Sequence, residues 1–259
     1  MALPSNPHRL MSTPNVLILR APGTNCDAET AFAFEQAGAT TEVLHINRLL
    51  ERPSLFQNFQ VLCIPGGFSY GDDLGSGRIL GNQILHHLNE ELGRFKADGK
   101  LILGICNGFQ VLMKSPVLLE PDAARGPAAT LTTNDCGRYH DAWVRTEVVG
   151  SKCVFLNGIE RMYLPVAHGE GKFVPRDEQT LSELDAAGQL VLRYADGDNP
   201  NGAVANVAGV CDPTGRVLGL MPHPERHIDR TQHPRWTRGE AGETGDGLRM
   251  FQNAVRYFA

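Results

Sequence analysis

The stretch that most constrains how this chain can fold runs from Lys100 to Gln110, where the apolar residues Leu101, Ile102, Leu103 and Ile105 lead to a cysteine set between two glycines. Such a run, entered through the turn signal Asp98-Gly99, predicts a parallel strand covered on both faces. Gly104 and Gly108 stand at i−2 and i+2 from Cys106, where side chains would obstruct a tight passage from strand into helix. Gly-x-Cys-x-Gly therefore reads as a nucleophile elbow with sulfur in place of the serine oxygen, lifting a thiol to the edge of a sheet. A helix starting at Asn107 would add unpaired backbone N–H groups and a positive dipole end, which favour thiolate and can hold an oxyanion. A buried cysteine in a glycine-tolerant turn accounts for the same letters, because an unpaired cysteine is more often a small hydrophobe than a catalyst.

The chain has 259 residues, enough for one large α/β domain or two small ones. No apolar run approaches the ~20 residues needed to cross a bilayer. The first ten residues, Met1 to Leu10, have no apolar core and no small-residue cleavage site, so residues 1–14 read as a disordered leader and the protein as cytoplasmic. Cys26, Cys63, Cys106, Cys136, Cys153 and Cys211 are scattered singly, without metal-knuckle spacing, which predicts free thiols and no metal site. A net charge of −5 gives no electrostatic footprint for nucleic acid, leaving small molecules or proteins as partners.

Taken in order, Asn15–Leu19 reads as a strand, Asp27 as the cap of a helix running to Ala37-Gly38, and Thr41–Ile46 and Val61–Pro65 as further strands. Ile84, Leu85, Leu88, Leu92 and Phe95 repeat at helical spacing, predicting one crossover helix between Ile79 and Lys96 that feeds the elbow strand. Alternation of this kind means a parallel sheet with right-handed crossovers. Past Pro116 the segments Thr130–Asn134, Tyr139–Val149, Met162–Ala167, Leu190–Tyr194, Ala203–Val210 and Arg216–Met221 are strand-like and separated by turn residues. They predict an antiparallel portion completing the same domain. Arg235–Gly247 reads as a polar loop, and Leu248, Phe251, Val255 and Phe258 mark a final helix.

A cysteine nucleophile needs a base, and the base needs an orienting partner. Met221-Pro-His-Pro-Glu225 offers both: Pro224 disfavours helix at His223, and in an extended segment His223 and Glu225 point the same way. A rigid strand exit with a surface His and Glu is the plainer account of those residues taken alone. Gly66-Gly67, after the strand ending near Ile64, can present unobstructed backbone N–H groups to an oxyanion, together with that of Asn107. A flexible loop explains a glycine pair equally well. Ala167-His-Gly-Glu-Gly171 fits a substrate contact, a partner interface or a polar hairpin loop, and Cys26, at a helix start with no base in its motif, is set aside as a bystander.

Three motifs in this order, Gly66-Gly67, Gly104-Ile-Cys-Asn-Gly-Phe-Gln110 and His223-Pro-Glu225, resemble the class I, triad-type glutamine amidotransferase family. Ala21-Pro-Gly-Thr-Asn-Cys-Asp27, Gly66-Gly-Phe-Ser-Tyr-Gly-Asp72, Ala167-His-Gly-Glu-Gly171 and Pro222-His-Pro-Glu-Arg226 look, more narrowly, like the glutaminase subunits serving purine biosynthesis. The resemblance runs from about Asn15 to Ala259. It implies a flavodoxin-like, mostly parallel sheet in a single domain over residues 15–259. It implies Cys106 as nucleophile, His223 as acid/base and Glu225 as its orienting partner. Gly66, Gly67, Phe68, Asn107 and Gln110 would bind substrate, with the N–H groups of Gly67 or Phe68 and of Asn107 as oxyanion donors and Gln110 touching the bound L-glutamine. The resemblance further implies that ammonia passes to a synthetase subunit, joined by a small accessory subunit, that makes formylglycinamidine ribonucleotide using ATP and Mg, with no cofactor in this chain. One departure is the loop Asp73-Leu-Gly-Ser-Gly77, where the family usually carries a bulkier, Arg-containing segment. A γ-glutamyl hydrolase or cysteine peptidase of related fold, and a non-catalytic regulatory subunit, are the other readings. Small elbow-type peptidases usually place His directly after Cys, where this chain has Asn107, and a regulatory subunit would be expected to lack one of the three catalytic positions.

Overall fold

The structure, a computed structural model, describes residues 13–259, so most of the expected leader over 1–14 lies outside the described residues. The strands are β1 Asn15–Arg20, β2 Thr40–His45, β3 Val61–Ile64, β4 Leu101–Ile105, β5 Ala129–Thr132, β6 His140–Val148, β7 Arg161–His168, β8 Lys172–Pro175, β9 Leu192–Tyr194, β10 Val207–Cys211 and β11 Val217–Leu220. The α-helices are α1 Asp27–Gln36, α2 Ile46–Glu51, α3 Arg78–His87, α4 Asn89–Ala97, α5 Asn107–Leu112, α6 Glu178–Ala186 and α7 Leu248–Arg256.

One sheet runs in the order β2-β1-β3-β4-β11-β10-β9-β6-β7, and β5 pairs with β8 in a separate antiparallel ribbon. Neighbours from β2 to β11 are parallel, and those from β11 to β7 are antiparallel. Counting β11 as a fifth strand, the parallel half has the 2-1-3-4-5 order of flavodoxin-like sheets. The expected architecture, mostly parallel with an antiparallel extension, is the observed one. Burial explains why the elbow strand reads as pure hydrocarbon: β3, β4 and β11 are buried at every residue. Helices flank the sheet; α1 and α7 meet edge to face through Phe34 and Phe251, ring centroids 4.9 Å apart.

Several boundaries differ from the sequence reading. The crossover expected from Ile79 to Lys96 is two helices, α3 and α4, broken at Leu88 with φ −128° and ψ 7°. Leu88 is buried, so the apolar stripe runs through the break and the period carries no trace of it. Asp27 does not cap α1; Cys26 holds the cap position, and Asp27 ion-pairs with Arg20. The strand expected from Ala203 opens instead as a 3-10 turn, with φ of 52° at Ala205 and 57° at Asn206, and pairing starts at Val207. β8 and α6 have no counterpart in the sequence reading, although α6 carried a legible start: the Asp177 side chain accepts from Thr180 N–H at 2.7 Å.

Candidate active site

β3, β4 and β11 are adjacent and parallel, with Ile64 opposite Gly104 and Leu220 opposite Ile105. Their carboxyl ends therefore share one edge, where ligands collect in sheets of this type. The chain leaving those ends supplies Gly66-Gly67, Cys106 and the His223–Glu225 segment respectively. Gly66 and His223, 157 positions apart in sequence, become neighbours through strand order.

Cys106 takes φ 50° and ψ −104°, a conformation an L-residue adopts at a cost of about 1–3 kcal/mol. The strain is held by contacts on both sides. Cys106 N–H donates to the Leu220 carbonyl at 2.8 Å, and a side chain at Gly104 would stand 2.6 Å from the Gly108 carbonyl oxygen. The glycines flanking the cysteine thus touch each other, which is the physical content of the elbow motif. The thiol is 5% exposed, with Sγ 3.7 Å from the Ala167 carbonyl oxygen.

His223 is anchored by its N–H to the Pro165 carbonyl at 2.9 Å, and its Nδ1 lies 2.6 Å from Glu225 Oε1. Both side chains are buried. The extended geometry expected over His223–Glu225 is not found: His223 has φ −103° and ψ 88°, and Pro224–Arg226 form a 3-10 turn that folds the carboxylate back onto the ring. Burial alone would depress the His223 pKa, but the Glu225 carboxylate and then the neighbouring Cys106 outweigh it and hold the pKa well above the ordinary value. Nε2 is buried with no hydrogen-bond partner, which leaves that nitrogen free for proton transfer.

The Gly66–Asp72 loop is tied to the elbow by Asn107. Asn107 Oδ1 accepts from Ser69 N–H at 3.1 Å, while Nδ2 donates to Asp72 at 3.2 Å and to Gln110 Oε1 at 2.9 Å. Gln110 Nε2 donates to the Glu170 carbonyl at 2.5 Å. Gln110 is therefore a buried strut between the elbow helix and the Ala167–Gly171 segment, with both ends of its amide engaged by protein, rather than a group held out toward substrate. Of the expected oxyanion donors, the Phe68 N–H is directed to the Gly23 carbonyl at 2.9 Å. Gly67 and Asn107 remain. Gly67 has φ +135°, and a Cβ there would meet Asn25 N at 2.7 Å; one at Gly66 would meet the His223 ring at 2.8 Å. The Phe68 side chain is exposed and stands 6.2 Å from the Tyr139 ring. The departing loop after Asp72 is secured, with Ser76 Oγ donating to Asp72 at 3.0 Å and Ser76 N–H to Glu170 Oε2 at 3.3 Å.

The Ala167–Gly171 segment lies against the elbow, through the Ala167 and Glu170 carbonyls. His168 is buried, Nδ1 faces Asn134 Oδ1 at 3.2 Å, and Nε2 is unpartnered. Burial, then the charge of His223, lowers its pKa from 6.5 to about 4. The unfolded chain protonates this imidazole below pH 6.5, whereas the folded one resists until about pH 4, so stability drops as pH falls through that window. At about 1.4 kcal/mol per unit the loss attributable to this group is up to about 3 kcal/mol. His223, with its raised pKa, contributes in the opposite sense, stabilising at low pH. Urea unfolding at pH 7 and pH 4.5 should show His168→Gln losing less stability on acidification than the parent; equal losses would contradict this assignment.

Sequence reasoning missed the surroundings of Cys26. Arg226 Nη2 donates to Cys26 Sγ at 3.1 Å and Nε to Glu29 at 2.7 Å, and the thiol lies against the His223 ring. Cys26 is thus no bystander. The 200 positions between Cys26 and Arg226 left no local signal of the contact.

The model of the CobB/CobQ-like glutamine amidotransferase domain matches residues 13–258, and the chain belongs to that family. Among curated proteins it is similar to phosphoribosylformylglycinamidine synthase subunit PurQ of Dehalococcoides mccartyi, 48% identical over 257 residues that cover 95% of this chain and 98% of that one. The PurQ subunit of Methanococcus maripaludis is 41% identical over 266 residues, covering 95% of this chain and 97% of that one. A chain in the structure of PurLQS from Thermotoga maritima superposes with a TM-score of 0.75 at 30% identity, covering 96% of this chain and all of that one. Identity of this extent places the chain, within the amidotransferases, in the PurQ subunit family.

Proposed function

We propose that Cys106, His223 and Glu225 form the triad through which this PurQ-family glutaminase subunit hydrolyses L-glutamine to glutamate and ammonia for purine biosynthesis. The observation that carries the reading is the buried 2.6 Å His223–Glu225 contact beside a thiol on a strained elbow. Thiolate from Cys106 attacks the side-chain amide carbon, and the N–H groups of Gly67 and Asn107 stabilise the oxyanion. His223 gives its proton to the departing nitrogen, releasing ammonia and leaving a γ-glutamyl thioester. The same imidazole then takes a proton from water, which attacks the thioester and frees glutamate and Cys106. Glu225 holds the ring and stabilises the imidazolium throughout.

Residues 15–259 act as one amidotransferase domain in the cytoplasm; among the described residues no helix is long and apolar enough to cross a membrane. The ammonia goes to a synthetase subunit that uses ATP and Mg to convert formylglycinamide ribonucleotide to formylglycinamidine ribonucleotide, with a small accessory subunit in the assembly. The Thermotoga maritima relative belongs to a structure of PurLQS, which supports this partnership. Glutamate release should be slow from the chain alone and rise at least about tenfold with synthetase, ATP and formylglycinamide ribonucleotide present. A reconstituted complex that makes the amidine from free ammonia but not from glutamine would overturn the reading.

A further inference from the structure

The sulfur of Cys26, one ring nitrogen of His223 and one carboxylate oxygen of Glu225 lie within 4.8 Å of one another, and all three residues are buried. The Nδ1 edge of the ring faces this cluster: a Cβ on Gly66 would sit 3.0 Å from Cys26 Sγ, 2.8 Å from His223 Cε1 and 3.4 Å from Nδ1. A second observation points to a ligand here. Glu225 Oε2 is buried with no hydrogen-bond partner, so a carboxylate that belongs to this cluster keeps one oxygen unsatisfied.

We infer that Cys26, His223 and Glu225 form an inhibitory site for a zinc-type divalent cation, which replaces the proton between His223 and Glu225 and stops the triad.

A mixed sulfur, nitrogen and oxygen set suits zinc and not magnesium, which requires oxygen ligands in octahedral array. Donors in one tetrahedral zinc site stand about 3.3–3.8 Å apart, so a cluster already inside 4.8 Å closes with side-chain adjustments alone. Charge balances as well. A dication with one thiolate and one carboxylate is neutral; burial raises the Cys26 pKa, and the cation, together with Arg226, which is paired with Glu29 and donates to the sulfur at 3.1 Å, offsets that cost. The remaining polar contact of Cys26 is with Asn25 Oδ1 at 3.2 Å, and it breaks when the thiol loses its proton. Binding forms metal–sulfur, metal–nitrogen and metal–oxygen bonds and releases two protons, one from the thiol and one from Nδ1. No oxidant or reductant is involved. The imidazole that remains is neutral, carries its proton on Nε2, and has no lone pair with which to accept one during catalysis.

The metal-binding arm of the test does not depend on the glutaminase reading; only the inhibition arm does. Cobalt(II) serves as the probe, added to the full chain carrying Cys106→Ala, which removes the neighbouring thiol, and Cys136→Ser, which removes the exposed one. A thiolate-to-cobalt absorption in the near ultraviolet should appear and be lost on adding Cys26→Ser, with the circular dichroism and melting of that variant confirming its fold. Glu225→Gln should weaken cobalt binding at least about tenfold, since its uncharged amide is a poor ligand. In the reconstituted complex, zinc should inhibit glutamine hydrolysis, and Cys26→Ser should raise the half-inhibitory concentration at least about tenfold relative to its own uninhibited rate. An absorption that survives Cys26→Ser, or a half-inhibitory concentration that does not move, would overturn the proposal. Cobalt binding with no measurable glutaminase in any variant would instead uphold the metal site and sink the functional reading.

Discussion

Replacing Cys106 with alanine should abolish glutamine hydrolysis, lowering kcat by about 10⁴-fold or more, because no other thiol stands on the elbow next to the oxyanion donors. Ammonia-dependent amidine synthesis by the reconstituted complex should persist, since the substitution removes a sulfur without enlarging any neighbour. The loss should appear in kcat rather than in KM, as expected for a group whose bond to substrate exists only along the reaction path. Cys26 is the control built into the molecule, a second thiol on the same imidazole but without an elbow or oxyanion donors. A Cys106→Ala protein with undiminished glutaminase would transfer the nucleophile's role elsewhere.

Gly108→Ala should be the most destabilising conservative change at the site. An added Cβ would lie 1.8 Å from the Ile64 carbonyl oxygen and 2.7 Å from its carbon, so the collision is with backbone of β3 and cannot be relieved by a rotamer. Moving α5 off β3 would also displace Asn107 and Cys106. A cost of about 3 kcal/mol or more is expected, with a fall in Tm of roughly 6–12 °C. Gly93→Ala provides the contrast: Gly93 lies within α4 with nothing near its missing Cβ, and alanine there should stabilise by about 0.5–1 kcal/mol. Thermal and urea unfolding of both variants would check this, and a Gly108→Ala protein as stable as the parent would show that α5 does not pack on β3 as described.

What could be read from the sequence was what local chemistry dictates. Gly104 and Gly108 announced the elbow because a strand-to-helix turn of that tightness excludes side chains, and the structure shows the backbone contacts that enforce it. The pairing of His223 with Glu225 was legible from two residues' spacing, though the turn that achieves it, Pro224–Arg226, is helical rather than extended. Features that depend on distant segments were not legible. The Phe68 N–H is taken by Gly23, and Gln110 is braced against Glu170, because loops from different strands meet at the sheet edge. Cys26 gave no hint of its position for the same reason: the segments leaving β1 and β11 meet above the sheet edge across β3 and β4, and no local pattern encodes that meeting. The break at Leu88 escaped notice on different grounds, since a buried apolar residue at a kink keeps the helical period intact.

The central claim is that Cys106, poised on its strained elbow beside His223, is the atom that takes the acyl group from glutamine. Acid-quenching the complex during turnover and mapping its peptides by mass spectrometry tests this directly. A γ-glutamyl adduct should be found on the peptide bearing Cys106, and replacing His223 should make it accumulate where hydrolysis of the thioester is slowed more than its formation. An adduct confined to the peptide bearing Cys26, or rapid turnover with the Cys106 peptide unmodified and replaceable, would contradict the account.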